Sequence, residues 1–389
     1  MRADLEAVVA GGGIAGLASA VALARAGWRV TVLERAAELG EVGAGVALAR
    51  NGIAALHALG VDVEAEEIGV PTRAGGTFDR TGRPILPIAD DVEGVTMRGV
   101  HRARLHGVLL AHARSLEVEI VTGASVTAAV PGAPGGDRAL VTTADGTTRS
   151  AHLLVAADGV RSAVRAAVAG GPLPAYSGYS SWRAVLRRRL EVPVLTQYWG
   201  PHAEVGTMPV GPELTYWYGY VRMPAGTRFL DERVAARDRF QDWAPEIGEI
   251  IDATPPEAVL RHDVLHLPGG MRRYAVGRVV AVGDAAHAML PTMGQGVATA
   301  LEDGICVGRL VGEPVAAGAR LADTLARYDA ERRPRCAAIA RAARASALIG
   351  SHLGPALQGV RNGLMRRTPS SAVSRGAEAV MGWEPPPAV

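Results

Sequence analysis

The chain has 389 residues, 48% of them apolar, with a formal net charge of +2. That leaves room for a large core and about two domains, and the dispersed 48 glycines and 24 prolines fit a loop-rich α/β protein, not a disordered or fibrous one. All 41 basic residues are arginine, which excludes Schiff-base and pyridoxal-phosphate chemistry and any P-loop lysine; the balanced charge argues against nucleic acid as a partner.

Leu5–Ala10 reads as a buried strand, followed by Gly11-Gly12-Gly13-Ile14-Ala15-Gly16, an alanine-rich helix ending at Gly27, and a second strand, Trp28–Leu33. Asp4 and Glu6 stand where a signal peptide would carry positive charge, and three glycines interrupt its apolar run, so a signal peptide is not expected. In a βαβ unit, Gly11 makes the tight turn, Gly13 lets the backbone approach a pyrophosphate, and Gly16 lets helix and strand pack. The helix start at Ile14 and Ala15 adds unpaired N–H groups and positive potential. Glu34, 23 residues after Gly11, can accept hydrogen bonds from a ribose diol and would repel a 2'-phosphate, which predicts FAD or NAD and not NADP. Arg35 beside it is a further cofactor-binding candidate.

Arg102 to Ala113 has helical apolar periodicity. Pro131–Gly136 reads as a flexible connection between strands, and Ala144-Asp145-Gly146 as a hairpin turn. The next buried strand ends in Asp158-Gly159-Val160-Arg161-Ser162-Ala163-Val164-Arg165, where the Asp158 carboxylate can cap the following helix. Nine of the 17 aromatic residues then fall between Tyr176 and Tyr220. Tyr216, Tyr218 and Tyr220 alternate at strand period, so they share a sheet face with Trp217 on the other. This sheet offers flat aromatic surfaces to a ligand. Arg183, Met208, Tyr216, Tyr218 and, further on, Pro291 are the substrate-pocket candidates.

Arg278–Val282 is a buried strand that delivers Gly283-Asp284 to a turn, and Gly294-Gln295-Gly296 opens a helix running to about Leu310. The N-terminus of such a helix stabilises negative charge. Leu325–Ile349 is helical, with arginines on an expected solvent face, and the proline-ended tail is expected to be poorly ordered. Cys306 and Cys336 are too few and isolated for a disulfide framework or zinc site, no other spacing suggests a metal, and a cytoplasmic location follows. No stretch reaches the roughly 18 to 20 uninterrupted apolar residues of a membrane span. The sequence does not fix the oligomeric state.

The three motifs, spread in this order over residues 11–304, resemble those of the single-component aromatic-ring flavoprotein monooxygenases, which include para-hydroxybenzoate and salicylate hydroxylases. The resemblance implies an α/β fold with a discontinuous Rossmann-type FAD-binding domain (1–70, 100–172 and 272–325). It further implies a mainly antiparallel substrate sheet (71–99 and 173–271), with a C-terminal helical segment (326–365) and a flexible tail (366–389). FAD would be held tightly but non-covalently: Asp284 on the ribityl hydroxyls, Gly294-Gln295-Gly296 at flavin N1 and C2=O, and Gly43–Ala47 passing over the ring. Arg50 stands where many members carry proline before Asn51. Arg102 would reach the ribityl and phosphate region, Val126 would offer its backbone to the adenine, and Asp158 would link the flavin to a transient nicotinamide site. His287 reads as a structural neighbour of the Gly283-Asp284 turn, and no general base stands out.

The implied reaction uses NADH or NADPH as transient co-substrate and O2. Oxygen adds at flavin C4a, and the hydroperoxide hydroxylates an electron-rich aromatic or heteroaromatic small molecule. An epoxidase or flavin reductase on the same fold, or a non-catalytic flavin-binding sensor, remain open. Halogenases of this fold typically need a lysine, which this chain lacks.

Overall fold

The computed structural model describes residues 5–40, 44–63, 67–86, 96–170 and 172–388. The stretch Leu5–Ala24 becomes a strand, Glu6–Ala10, and a helix, Ile14–Arg25. That strand is central in a six-stranded sheet of spatial order Ala275–Val276, Val279–Ala281, Leu153–Ala156, Glu6–Ala10, Arg29–Leu33 and Glu119–Val121. All pairings are parallel except the edge hairpin. A strand buried on both faces is apolar throughout, and Leu153–Ala156 is wholly buried. The helix Ile14–Arg25 packs on the helix Gly296–Cys306 so closely that a Cβ on Gly304 would strike the Ala18 backbone.

A three-stranded antiparallel sheet, Val126–Val130, Ala139–Thr143 and Thr148–Ala151, carries the expected hairpin, in which Asp145 Oδ1 accepts from the Thr147 N–H at 3.0 Å. The glycine–proline connection before it is pinned, not flexible, because Arg278 donates to the carbonyls of Ala133 at 2.8 Å and Gly136 at 3.2 Å.

The second large sheet runs Leu260–His266, Ala175–Arg187, Leu214–Arg222, Ala203–Gly211, Leu195–Gly200, Val70–Asp79, Thr96–His101 and Gly45–Ala49, with Pro84–Leu86 added to Val70–Asp79. Only the pairing of Leu195–Gly200 with Val70–Asp79 is parallel. Strand period puts Trp217 on the outer face, buried with Trp182, Phe240 and Ile247, where it donates to Thr254 Oγ1 at 2.9 Å. Tyr216, Tyr218 and Tyr220 face inward. Gly45–Ala49, early in the chain, is thus an edge of this second sheet.

The helix Leu321–Ile349 corrects the expectation of a solvent-facing arginine side. Arg332 is fully buried, with Nε 2.8 Å from Asp303 and Nη2 2.8 Å from Glu302, and Arg335 grips Glu302 through two bonds of 2.7 Å. Two consecutive carboxylates on a buried helix demand such counter-charges.

The tail is likewise corrected, since Ser370–Met381 is a helix. Its anchors are distant in sequence. Arg335 donates to the Val380 carbonyl at 2.8 Å, Glu378 pairs with Arg50, Arg309 donates to the Pro386 carbonyl, and Trp383 lies under Arg332 and Arg335 at 5.5 and 5.9 Å. Among the described residues no helix is long and apolar enough to cross a membrane.

Replacing Arg332 by Ala removes a buried cation shared by two buried carboxylates and should cost about 3–5 kcal/mol. Urea unfolding measures this against Arg333→Ala, whose ion pair with Asp329 is more exposed. Equal midpoints for the two variants would contradict the assignment.

Candidate active site

The site grows from turns at the C-terminal ends of the parallel strands, where an open α/β sheet leaves a crevice. Gly11 has φ +108°, and a Cβ there would overlap the Ala157 carbonyl, so only glycine fits. A Cβ on Gly16 would overlap the Gly11 carbonyl, while one on Gly13 would meet no atom within 4 Å. Gly13, Ile14 and Ala15 line a cavity. Glu34 sits against the turn, its Oε2 accepting from the Gly12 N–H at 2.7 Å and its Oε1 from Ala36 at 2.9 Å. The Ala124 N–H donates to the Glu34 carbonyl at 2.8 Å, which lays the segment leading to Val126 beside it. Glu34, exposed Arg35 and Val126 gather at this end without lining the cavity itself. His106, buried on the helix Arg102–Ser115, donates from Nε2 to the Gly12 carbonyl at 2.8 Å. No motif pointed to it.

In the second motif, Asp158 Oδ2 accepts from the Val164 N–H at 3.1 Å and Ser162 Oγ from Arg165 at 2.8 Å, so both cap the helix Ala163–Ala169. The Arg165 guanidinium donates to the Ala285 carbonyl at 2.8 Å, binding the second motif to the third. Asp158 Oδ1 is buried without a protein partner, between the cavity-lining residues Ala157 and Gly159. In the third motif, Asp284 is the exposed member of the otherwise buried run Ala281–Ala288, and it lines the cavity. Gly294, Gln295 and Gly296 line it too, as the start of the helix Gly296–Cys306. Gln295 Oε1 accepts from Asn51 at 3.0 Å, which ties this turn to the helix Arg50–Ala58. An orphaned carboxylate oxygen, an exposed aspartate and a helix N-terminus converging on a glycine cradle fit an extended, hydroxyl-bearing anion such as FAD.

The cavity holds about 730 Å³ and unites these turns with Ala47, Arg102, Arg183, Met208, Tyr216, Tyr218 and Pro291. Gly43 lies outside the described residues. Tyr216 packs flat on Gly45, where a Cβ would enter its ring. Arg183 pairs across the sheet with Tyr218 and faces the cavity, not solvent. Burial first, then the positive charges of Arg183, Arg261 and Arg102, depress His262 to about 4.

His287 donates from Nε2 to Asp303 at 2.6 Å, and Asp303 also accepts from the Gly283 N–H at 2.8 Å. Burial opposes the imidazolium, but Cys336 and Asp303 hold it well above its ordinary range. His287, Asp303 and Cys336 bring metal-ligating atoms within 4.8 Å of one another, yet the Arg332 cation already bonds Asp303 at 2.8 Å and approaches Cys336 at 3.6 Å.

Sequence reasoning also missed Glu204, which is 3% exposed and faces the hydroxyls of Ser351 and Tyr218. Gln197 Nε2 donates to that Tyr218 hydroxyl at 2.8 Å. Two-residue alternation back from Met208 was the available signal. Burial pushes the Glu204 carboxyl from its ordinary 4.5 up to about 7. The folded state therefore binds this proton more tightly than the unfolded chain, giving stability that is full below about 4.5 and lost as pH rises through about 7. Glu204→Gln should accordingly gain melting temperature relative to the native protein on going from pH 5 to pH 8; a pH-independent difference would remove the assignment.

Residues 4–343 match the family described as FAD binding domain. The aurachin C monooxygenase/isomerase of Stigmatella aurantiaca is 38% identical over 339 residues, covering 85% of this chain and 86% of that protein. The 2-heptyl-3-hydroxy-4(1H)-quinolone synthase of Pseudomonas aeruginosa is 30% identical over 381 residues, covering 95% and 96%. The structure of Klebsiella pneumoniae HpxO complexed with FAD and uric acid superposes with a TM-score of 0.86 at 28% identity, over 98% of this chain and 97% of that one. Similarity that runs unbroken through all three turns means that the chain belongs to the FAD-binding family of single-component flavoprotein hydroxylases.

Proposed function

We infer that this chain is an FAD-dependent monooxygenase acting on an electron-rich aromatic or heteroaromatic small molecule. One oxygen atom of O2 enters the ring as hydroxyl and the other leaves as water, while the hydride of NADH or NADPH and one proton supply the two electrons and the two hydrogens that this balance requires. The observation that carries this reading is the single cavity in which acid-and-glycine turns meet the tyrosine face of the second sheet. Bound there, the flavin supplies electron transfer and oxygen activation. A relative named FAD-dependent urate hydroxylase, 31% identical, supports a heteroaromatic ring as substrate.

In this reading Gly11, Gly13, Ile14, Ala15 and Gly16 hold the pyrophosphate through backbone N–H groups, and Glu34, with Arg35, holds the adenosine ribose. Val126 offers its backbone to the adenine. Ala47 covers the flavin ring, Arg102 reaches its ribityl and phosphate region, and Asp284 accepts from the ribityl hydroxyls. Asp158 would link the flavin site to the transient nicotinamide site. The helix end at Gly294-Gln295-Gly296 stabilises negative charge on the reduced ring. Arg183 and Arg102 favour an ionised ring hydroxyl, which raises electron density where oxygen enters. Tyr216 and Tyr218 orient the ring, and Met208 and Pro291 exclude water from it. A cytoplasmic location fits two free, buried cysteines and the use of NAD(P)H.

Asp284→Ala and Glu34→Arg should each yield protein largely stripped of flavin, measured by absorbance after purification; full yellow occupancy would refute these roles. Screening aromatic compounds for stimulated NAD(P)H oxidation, then running the best under labelled oxygen gas, tests the reaction itself. Product carrying one labelled oxygen is expected, and unlabelled product would overturn the monooxygenase reading.

A further inference from the structure

The cavity has a wall that belongs to none of the three motifs. Val373, Gly376, Ala377, Val380 and Met381 of the helix Ser370–Met381 all line it. Their steps of three and four residues form one stripe along the helix. Every member is aliphatic, a thioether or devoid of a side chain, so the stripe offers no hydrogen bond. Charged Arg375 and Glu378 are exposed off this stripe. The Arg50–Glu378 pair and the bond from Arg335 to the Val380 carbonyl hold the helix beside Ala49 and Ala342, which also line the cavity. At the centre of the stripe Gly376 leaves open space, since a Cβ there would meet no atom within 4 Å.

We propose that the helix Ser370–Met381 forms one side of a hydrocarbon slot, so that this enzyme selects rings bearing a linear alkyl or isoprenoid chain, with Gly376 as the residue that admits it. The polar end of the cavity, at Arg183, Gln197 and Tyr218, then receives the ring, and the aliphatic stripe receives the chain. A ring without a chain would leave the stripe wetted and gain nothing from it. Chain burial against this wall is driven by water exclusion, worth about a three- to fourfold gain in affinity for each methylene that becomes buried. The proposal rests on reading this cavity as the substrate pocket of the monooxygenase.

Binding to the FAD-loaded protein is followed by the perturbation of flavin absorbance, without turnover, for two series: 4-hydroxyquinolines with 2-alkyl chains from methyl to nonyl, and para-alkylphenols over the same lengths. Affinity should rise about three- to fourfold per added carbon in at least one series until the slot is filled. Gly376→Phe, whose Cβ meets no atom within 4 Å, should abolish that rise while leaving FAD content and methyl-compound binding unchanged; Val373→Thr, close in volume, should blunt it. A flat response in both series for the native protein, or a chain-length gain that survives Gly376→Phe, overturns the proposal. Chain-dependent binding without oxygen uptake would instead leave the slot standing and sink the oxygenation reaction.

Discussion

Two neighbouring carboxylates, Glu302 and Asp303, lie fully buried on the helix whose N-terminus lines the cavity, and the neutralisation of that charge constrains much of the molecule. Unpaired, such groups would cost several kcal/mol each. Arg332 answers both, Arg335 and Asn51 answer Glu302, and His287 and the Gly283 N–H answer Asp303. These partners come from three separate segments: the strand-end turn carrying Asp284, the helix after Ala49, and the long helix Leu321–Ile349. Burial would push Asp303 up, but His287 and Arg332 hold it at about 2. The turns held by this network are tied to one another and to the long helix.

Those turns present mainly backbone and few side chains to the cavity. Gly11 and Gly283 adopt positive φ, which brings amides and carbonyls close to the cavity without a Cβ in the way. Arg165, anchored on the Ala285 carbonyl, couples the Asp158 turn to the Asp284 turn. The opposite wall uses the other economy of the sequence, its clustered tyrosines, since a strand delivers every second side chain to the same place.

The parts legible in the sequence were those written in short-range code. The glycine turns, Glu34 and Asp284 follow strand ends at fixed spacing, and the alternation of Tyr216, Tyr218 and Tyr220 is a local period. The rest depended on partners far along the chain. Arg332 looks like any surface arginine until Glu302 and Asp303 are placed opposite it. The tail, rich in serine, glycine and proline, has little intrinsic helical preference, and Ser370–Met381 is held by Arg50, Arg309 and Arg335. His106 is a single polar residue in an apolar pattern with nothing local to mark it, and Glu204 was signalled only by its place in the strand alternation back from Met208.

The order of strands in the parallel sheet has a consequence for how the chain is made. Leu153–Ala156 lies between Glu6–Ala10 on one side and Val279–Ala281 on the other. A nascent chain thus carries an unsatisfied parallel edge at its middle until the ribosome has delivered residues beyond 281. Such long-range closure slows folding and exposes an aggregation-prone ribbon, so the protein should depend on chaperones during synthesis. Splitting the gene between these strands would leave two halves that each lack a neighbour for their central ladder.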